Sequence, residues 1–566
     1  MTSLSKPASK PAFPTASQPN PRRLINADTL SAWLGDSDKI GNEIALIDIR
    51  EEGEFGEGHP LFATNIPYSR LERDVARLVP RRATRIVLVG DTVGDTGPVA
   101  TRRLASLGYR DVHELSGGAP AWAAAGNRLH TSIHVPSKAF AEVVEHSYHT
   151  PAIKAEALAK LFEDKADVVV LDSRTLEEYE RFHVPNAISC PSAELVYRFD
   201  DLVPSPETLV VVSCAGRTRG IIGAQALING GVPNKVVALE GGTQGWKLAN
   251  LPVEKGLVAK YGPVSDRARA RALVRSTALS ERFEVPHIAL ADFQAWLGDE
   301  ARTTYLVDVR TAEEYAAGHL DGAIHVAGGQ LVQTLDKWLA VRGARVVLAD
   351  DHQVRADVTA HWLRQLGWDA SVLAYDPTRA SLVKGSQPSG AAPEPLQPVV
   401  DELDSVRAAA LLSQGAVALS GDSSQQFRAA HPAGATWVNR SRLNSLPIAA
   451  RSAPTLLLFG HDDQALQLIA LDLRERNPSQ QVFAVRGDVD AWRAAGIAVE
   501  ATPDLPADAQ RIDFLFWLHD RHLGNAEASR AYLAWEGELP KLIGSPAQAG
   551  FRIPAHVANA SSAATH

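Results

Sequence analysis

Cys214 sits at the one point in the chain where residue types and spacing suit covalent chemistry. The stretch Val210-Val211-Val212-Ser213-Cys214-Ala215-Gly216-Arg217-Thr218-Arg219-Gly220 ends an apolar β-branched run in a thiol. A tight loop with two arginines follows, and Ile221, Ala224 and Ile228 then recur at helical spacing. A thiol at such a strand-to-helix junction faces backbone N–H groups and the positive end of the helix dipole, and both favour thiolate over thiol. The expectation is therefore a nucleophilic sulfur activated by chain geometry, with no histidine base. The chain holds only two cysteines. The other, Cys190, lies in Ala187-Ile188-Ser189-Cys190-Pro191 and reads as a small buried hydrophobe; the alternative, a resolving partner for Cys214, has no short spacing to support it.

The elements that must position this thiol occur four times. Leu46-Ile47-Asp48-Ile49-Arg50, Val170-Leu171-Asp172-Ser173-Arg174, Leu306-Val307-Asp308-Val309-Arg310 and Ala418-Leu419-Ser420-Gly421-Asp422 each read as a strand ending in a polar turn. From Asp48, Asp172, Asp308 and Ser420 a histidine follows after 11 residues every time, at His59, His183, His319 and His431. A second apolar strand comes next, and three copies close on Gly-Gly-x3-Trp or a relative of it, at Trp122, Trp246 and Trp492. Strands alternating with helical patterns imply an α/β fold. Four tandem domains are expected, each a mainly parallel sheet flanked by helices, with a helical appendix at the C-terminus. The boundaries read as a disordered leader 1–21, repeats at 22–130, 131–257, 265–385 and 399–501, a linker at 386–398 rich in Pro, Gly, Ser and Ala, and the appendix at 506–566. The appendix aromatics, Phe514, Phe516, Trp517, Tyr532 and Trp535, are expected to pack on the fourth repeat.

Composition narrows the function. With 45% hydrophobic and 22% charged residues over 566 positions the chain is an ordinary globular protein of several domains. A net charge of −9 without a basic stripe argues against nucleic-acid binding. No apolar run is long enough to span a membrane, no signal peptide is visible, and two cysteines suit a reducing compartment, so the expected location is the cytoplasm. The 18 histidines are scattered and no Cys-x2-Cys or His-Glu-x2-His occurs, so neither metal nor cofactor is expected.

From about Leu24 to Ala501 the chain resembles the rhodanese (thiosulfate sulfurtransferase) family, and in particular bacterial members with four repeats of which the second holds the nucleophile. The resemblance rests on Asp172-Ser173-Arg174, on the Cys-x4-Arg loop from Cys214 to Arg219, and on Glu240-Gly241-Gly242 to Trp246. It implies a sulfurtransferase that moves sulfane sulfur from thiosulfate or a similar small anionic donor to a thiol, cyanide or protein acceptor through a Cys214 persulfide. Ala215, Gly216, Arg217, Thr218 and Arg219 would then wrap the sulfur and bind the anionic donor, with Thr218 capping the helix or bonding the thiolate. Arg174 would lie at the rim; its recurrence as Arg50 and Arg310 supports a salt-bridged scaffold role equally well. Asp172 reads as a turn or cap residue and His183 as scaffold, since each recurs in copies without a cysteine.

Opposite Cys214, copy one offers Gly90 or Asp91, copy three Asp350, and copy four Gly460 or His461. Those copies cannot carry a persulfide, and their expected role is structural, or else regulation or partner docking. A cysteine phosphatase or arsenate reductase would need a loop one residue longer. A 3-mercaptopyruvate sulfurtransferase is the nearer rival, characteristically with a less basic loop. A sulfur relay or scaffold whose inactive repeats bind partners is the non-enzymatic alternative.

Overall fold

The computed structural model describes residues 23–39, 41–90, 96–386, 399–516, 519 and 524–554. The leader, most of the linker and Asp91 therefore lie outside the described residues.

Among the described residues each repeat contributes five parallel strands of the same connectivity, forming five-stranded sheets in repeats two to four and a six-stranded sheet in repeat one, which gains an antiparallel strand from repeat three. In the second repeat the spatial order is Ala152–Ile153, Val236–Leu239, Leu209–Ser213, Val168–Asp172 and Ala187–Ser189. The Leu209–Ser213 strand is buried on both faces. Val210 and Val212 enter one apolar cluster and Val211 another on the opposite side, so its continuous β-branched run reflects a central strand covered by helices above and below.

Local chemistry repeats with the sheets. In every copy a capping box opens the short helix after the first long strand, at Glu51–Glu54, Thr175–Glu178, Thr311–Glu314 and Ser423–Gln426. That helix presents an aromatic ring on which the recurrent histidine stacks at 3.6–3.8 Å: Phe55 on His59, Tyr179 on His183, Tyr315 on His319 and Phe427 on His431. All four histidines are buried, and His183 Nδ1 bonds the Tyr179 carbonyl at 2.9 Å. They pin a helix to its returning strand.

Repeats one to three merge into a single apolar core, with Leu539 and Phe551 of the C-terminal region contributing to it, whereas repeat four keeps a core of its own. Val341–Arg342 of the third repeat also adds an antiparallel strand to the edge of the first repeat's sheet, pairing with Ile44 and Ala45. Repeat four docks on repeat one through charge: buried Arg440 bonds Glu72 and Asp472, and Tyr68 donates to Asp472 at 2.7 Å.

The appendix departs from expectation. Its first part, around Ile512 to Leu515, does wedge between repeats one and four: the Gly53 N–H bonds the Ile512 carbonyl and Ser424 N–H bonds Asp513. Its long helix, Ala526–Leu542, packs instead on helices Val135–Tyr148 and Gly242–Leu248 of the second repeat. Tyr532, Leu533 and Glu536 lie on the face turned to that repeat.

Candidate active site

Cys214 follows the central strand and precedes helix Thr218–Asn229, as its position between an apolar run and a helical pattern implies. The thiol is 2% exposed and receives the backbone N–H groups of Gly216 and Gly220. A Cβ on Gly220 would stand 3.5 Å from Sγ, so the helix N-terminus comes into direct contact with the sulfur. The loop is held from behind by helix Gly242–Leu248: Thr243 N–H donates to the Cys214 carbonyl at 2.7 Å and Gln244 N–H to that of Ala215 at 3.0 Å. Gly242 has φ +55°, and a Cβ there would lie 2.3 Å from the Cys214 oxygen and 2.6 Å from that of Gly216. Only glycine lets the two backbones approach so closely.

Both loop arginines are already paired. Arg219 is buried and reaches Glu178 with Nη1 at 2.6 Å and Nη2 at 2.7 Å. Burial alone would raise the Glu178 carboxyl, but Arg219 overrides it and holds the group down at about 2. Arg217 turns away from the loop to helix Val135–Tyr148, where it bonds Glu142 twice at 2.7 Å and also Glu145. Burial pushes Glu142 up to about 7 in spite of Arg217, because Glu145 and Glu536 crowd the same guanidinium. Thr218 is the first helical residue, Arg217 holds the cap position, and the Thr218 hydroxyl points at Glu536 Oε1, 3.4 Å away. The Thr218 hydroxyl therefore contacts the C-terminal helix from the first turn, with Arg217 at the cap.

The thiol itself corrects a second expectation. Burial pushes Cys214 up from the usual thiol range, and Glu536 adds to the rise; Arg219 and the two amides oppose it without prevailing. The amides and the dipole were legible in sequence, but the helix that covers the sulfur was not. Arg174 is 2% exposed, folded onto Asp172 through Nε and Nη2, with Nη2 also bonding the Phe182 carbonyl at 2.7 Å. Arg50 and Arg310 repeat this arrangement on Asp48 and Asp308. Arg174 is thus a salt-bridged strand-end arginine in this structure. Cys190 is fully buried in the shared core, and burial raises its thiol far above the usual range.

Backbone pairing aligns the four copies. Ser173 N–H bonds the Ser213 carbonyl, and the matching bonds are Ile49 to Val89, Val309 to Ala349 and Gly421 to Phe459. The residues that follow, Gly90, Asp350 and Gly460, are thus the counterparts of Cys214. In the third copy Asp350 and Arg355 keep the Cys-x4-Arg spacing: Arg355 Nη2 bonds Asp350 at 2.9 Å and Nη1 bonds Glu314, the counterpart of Glu178, at 2.6 Å. A fixed carboxylate there takes the place of a thiolate.

The rhodanese-like domain family matches residues 26–125, 154–249 and 289–376, half of the chain. The chain belongs to the rhodanese-like family. The crystal structure of thiosulfate sulfurtransferase from Pseudomonas aeruginosa superimposes with a TM-score of 0.86 at 40% identity, covering 94% of this chain and 99% of that one. Shorter stretches resemble an HTH-type transcriptional regulator of Mycobacterium tuberculosis, 31% identical over 19% of this chain and 46% of the relative. Another resembles YrkF of Bacillus subtilis, 26% identical over 18% of this chain and 54% of the relative. The chain thus spans about half the length of these two curated relatives. Membership extends to the third repeat, where the loop cysteine is replaced by Asp350, so the family is defined by its scaffold and not by the nucleophile.

Sequence reasoning missed the carboxylates of the site. Glu178 was within reach, since Thr175-x-x-Glu178 is a capping box in the repeat that carries Cys214. Glu142 and Glu145 sit on a helix without repeat character, and Glu536 bonds a hydroxyl 318 residues away in sequence. Among the described residues no group of acidic, histidine or cysteine side chains is arranged to hold a metal, and no helix is long and apolar enough to cross a membrane.

Proposed function

We propose that the protein is a sulfurtransferase in which Cys214 carries sulfane sulfur as a persulfide. The observation that supports this most is the thiol's setting: a sulfur met by two backbone N–H groups at a helix N-terminus, beside the guanidinium that closes a Cys-x4-Arg loop. The 40% identity to a thiosulfate sulfurtransferase over nearly the whole chain adds to it.

The thiolate of Cys214 attacks the outer sulfur of the donor. A Cys–S bond forms, and the donor's own bond to that sulfur breaks, its electron pair leaving with sulfite when the donor is thiosulfate. An acceptor such as cyanide or a thiolate then attacks the outer sulfur and leaves Cys214 as thiolate again. Gly216 and Gly220 N–H groups and Arg219 stabilise the negative sulfur in both forms. Burial opposes ionisation of the sulfur, while Arg219 and the two amides favour it. Repeats one, three and four have no sulfur at the matching position and serve as scaffold in this reading.

A second donor, 3-mercaptopyruvate, is favoured by one observation: Arg217 and Arg219 are offset by Glu142, Glu145 and Glu178, which makes the loop less attractive to a dianion. Desalting after excess thiosulfate should leave one extra sulfur atom in mass, on the peptide containing Cys214, and Cys214→Ser should neither gain it nor transfer sulfur to cyanide. Turnover surviving in Cys214→Ser would refute the mechanism. Sulfur loading from mercaptopyruvate but not thiosulfate would establish the second donor.

A further inference from the structure

Helix Ala526–Leu542 lies directly on the Cys214 loop. Leu533 side-chain atoms stand 3.6 Å and 3.4 Å from where Cβ atoms on Gly216 and Gly241 would be, and Glu536 Oε2 stands 3.1 Å from the first of these positions. Glu536 is 2% exposed. Its Oε1 accepts from the Tyr532 hydroxyl at 2.8 Å and from Thr218 at 3.4 Å. Its Oε2 is buried with no hydrogen-bond partner among the described residues. A buried carboxylate oxygen left bare is costly to a fold, and this one is aimed at the loop that receives the sulfur. The cations near it are shared with other acids or held elsewhere: Arg219 is held by Glu178, Arg217 serves Glu142 and Glu145 as well as Glu536, and Lys138 lies over the Tyr532 and Trp535 rings and donates to the Ile133 carbonyl.

Resting on the reading of Cys214 as the sulfur carrier, we propose that Glu536 sets the charge selectivity of this site. Glu536 lies against the loop that any sulfur donor or acceptor of Cys214 has to reach, and its charge acts on that sulfur. The carboxylate places dianions at a disadvantage and favours neutral sulfur compounds, or those with a cationic or hydrogen-bond-donating group next to the sulfur. The closing arginine attracts negative charge to the sulfur atom itself, while Glu536 discriminates on what surrounds that atom.

The test uses the full-length protein and two small thiol reagents that differ in charge, iodoacetamide and iodoacetate, with labelling of Cys214 and Cys190 separated by peptide mass. Glu536→Gln should raise the rate of Cys214 with iodoacetate relative to iodoacetamide at least ten-fold over wild type, and should lower the KM for thiosulfate at least three-fold. Leu533→Ala, which thins the cover without touching charge, should speed both reagents alike. Should Glu536→Gln not fold, Glu536→Leu replaces the bare oxygen with a well-packed apolar group and should give the same change of ratio. An unchanged ratio in a folded Glu536 variant overturns the proposal. A shifted ratio without thiosulfate turnover in any variant leaves the charge gate standing and refutes thiosulfate as donor.

Discussion

At the scale of single residues, the site is organised by how many carboxylates each guanidinium serves. Arg219 serves Glu178, and its remaining field falls on Cys214. Arg217 serves Glu142 and Glu145 with Glu536 close by, and one guanidinium cannot neutralise three acids. Glu142 is the one that yields, rising to about 7 under burial. A carboxyl whose folded pKa lies above its unfolded value stabilises the fold while protonated. That contribution is complete below the ordinary carboxyl value and is lost as pH rises through about 7. Glu142→Gln cannot lose it. The melting temperature of the variant minus that of wild type should therefore grow between about pH 4.5 and pH 7, and level off above that. Thermal melts across the range check this; a difference that shrinks with rising pH would mean Arg217 holds Glu142 ionised. The third repeat shows the opposite solution, in which Arg355 binds Asp350 and keeps it at about 2 against the pull of burial.

At the scale of elements, the loop is a product of its support. Helix Thr218–Asn229 supplies the amides at the sulfur, while helix Gly242–Leu248 fixes the loop's carbonyl groups so that those amides face inward. The Glu-Gly-Gly-x3-Trp segment is therefore part of the site through its backbone N–H groups and through Thr243 Oγ1, which donates to the Ala215 carbonyl at 3.4 Å. Gly242→Ala should show this. The added methyl would sit 2.3 Å from the Cys214 carbonyl oxygen, and φ +55° costs a residue with a Cβ about 1 to 2 kcal/mol even where space is free. The expected result is a lower melting temperature and at least a ten-fold loss of sulfur transfer, with the Cys214 loop displaced. Gly496→Ala is the control for conformation alone, since it has φ +83° but no atom within 4 Å of its Cβ position; it should lower stability and leave transfer unchanged. Equal loss of transfer in both variants would show that the loop does not depend on the close approach at Gly242.

At the scale of the molecule, the parts legible in sequence were those that repeat. Asp172, His183 and Trp246 could be read because their counterparts recur at fixed separations, and each proves to close a local contact within its own repeat. What could not be read was contact between units: strand Val341–Arg342 joining another repeat's sheet, the terminal helix returning to the second repeat, and the counter-charges of the loop arginines. Such contacts leave no period and join residues hundreds of positions apart, so no local pattern encodes them. The docking of repeat four is the clearest instance. Repeats one to three share a core, but repeat four meets repeat one across Arg440, which sits buried between Glu72 and Asp472. Removing one member of a buried ion pair leaves its partners uncompensated, typically at about 3 to 5 kcal/mol. Arg440→Ala should loosen repeat four as a unit, because its own apolar core does not depend on the interface. Calorimetry should then resolve a transition for repeat four below that of the other three, whereas in wild type the two are expected to coincide. Because the terminal helix follows repeat four in the chain and covers Cys214, loosening should also speed alkylation of Cys214 by iodoacetamide. A single transition at a lower temperature, with the alkylation rate unchanged, would mean that Arg440 supports the whole fold and that repeat four does not govern the helix over the thiol.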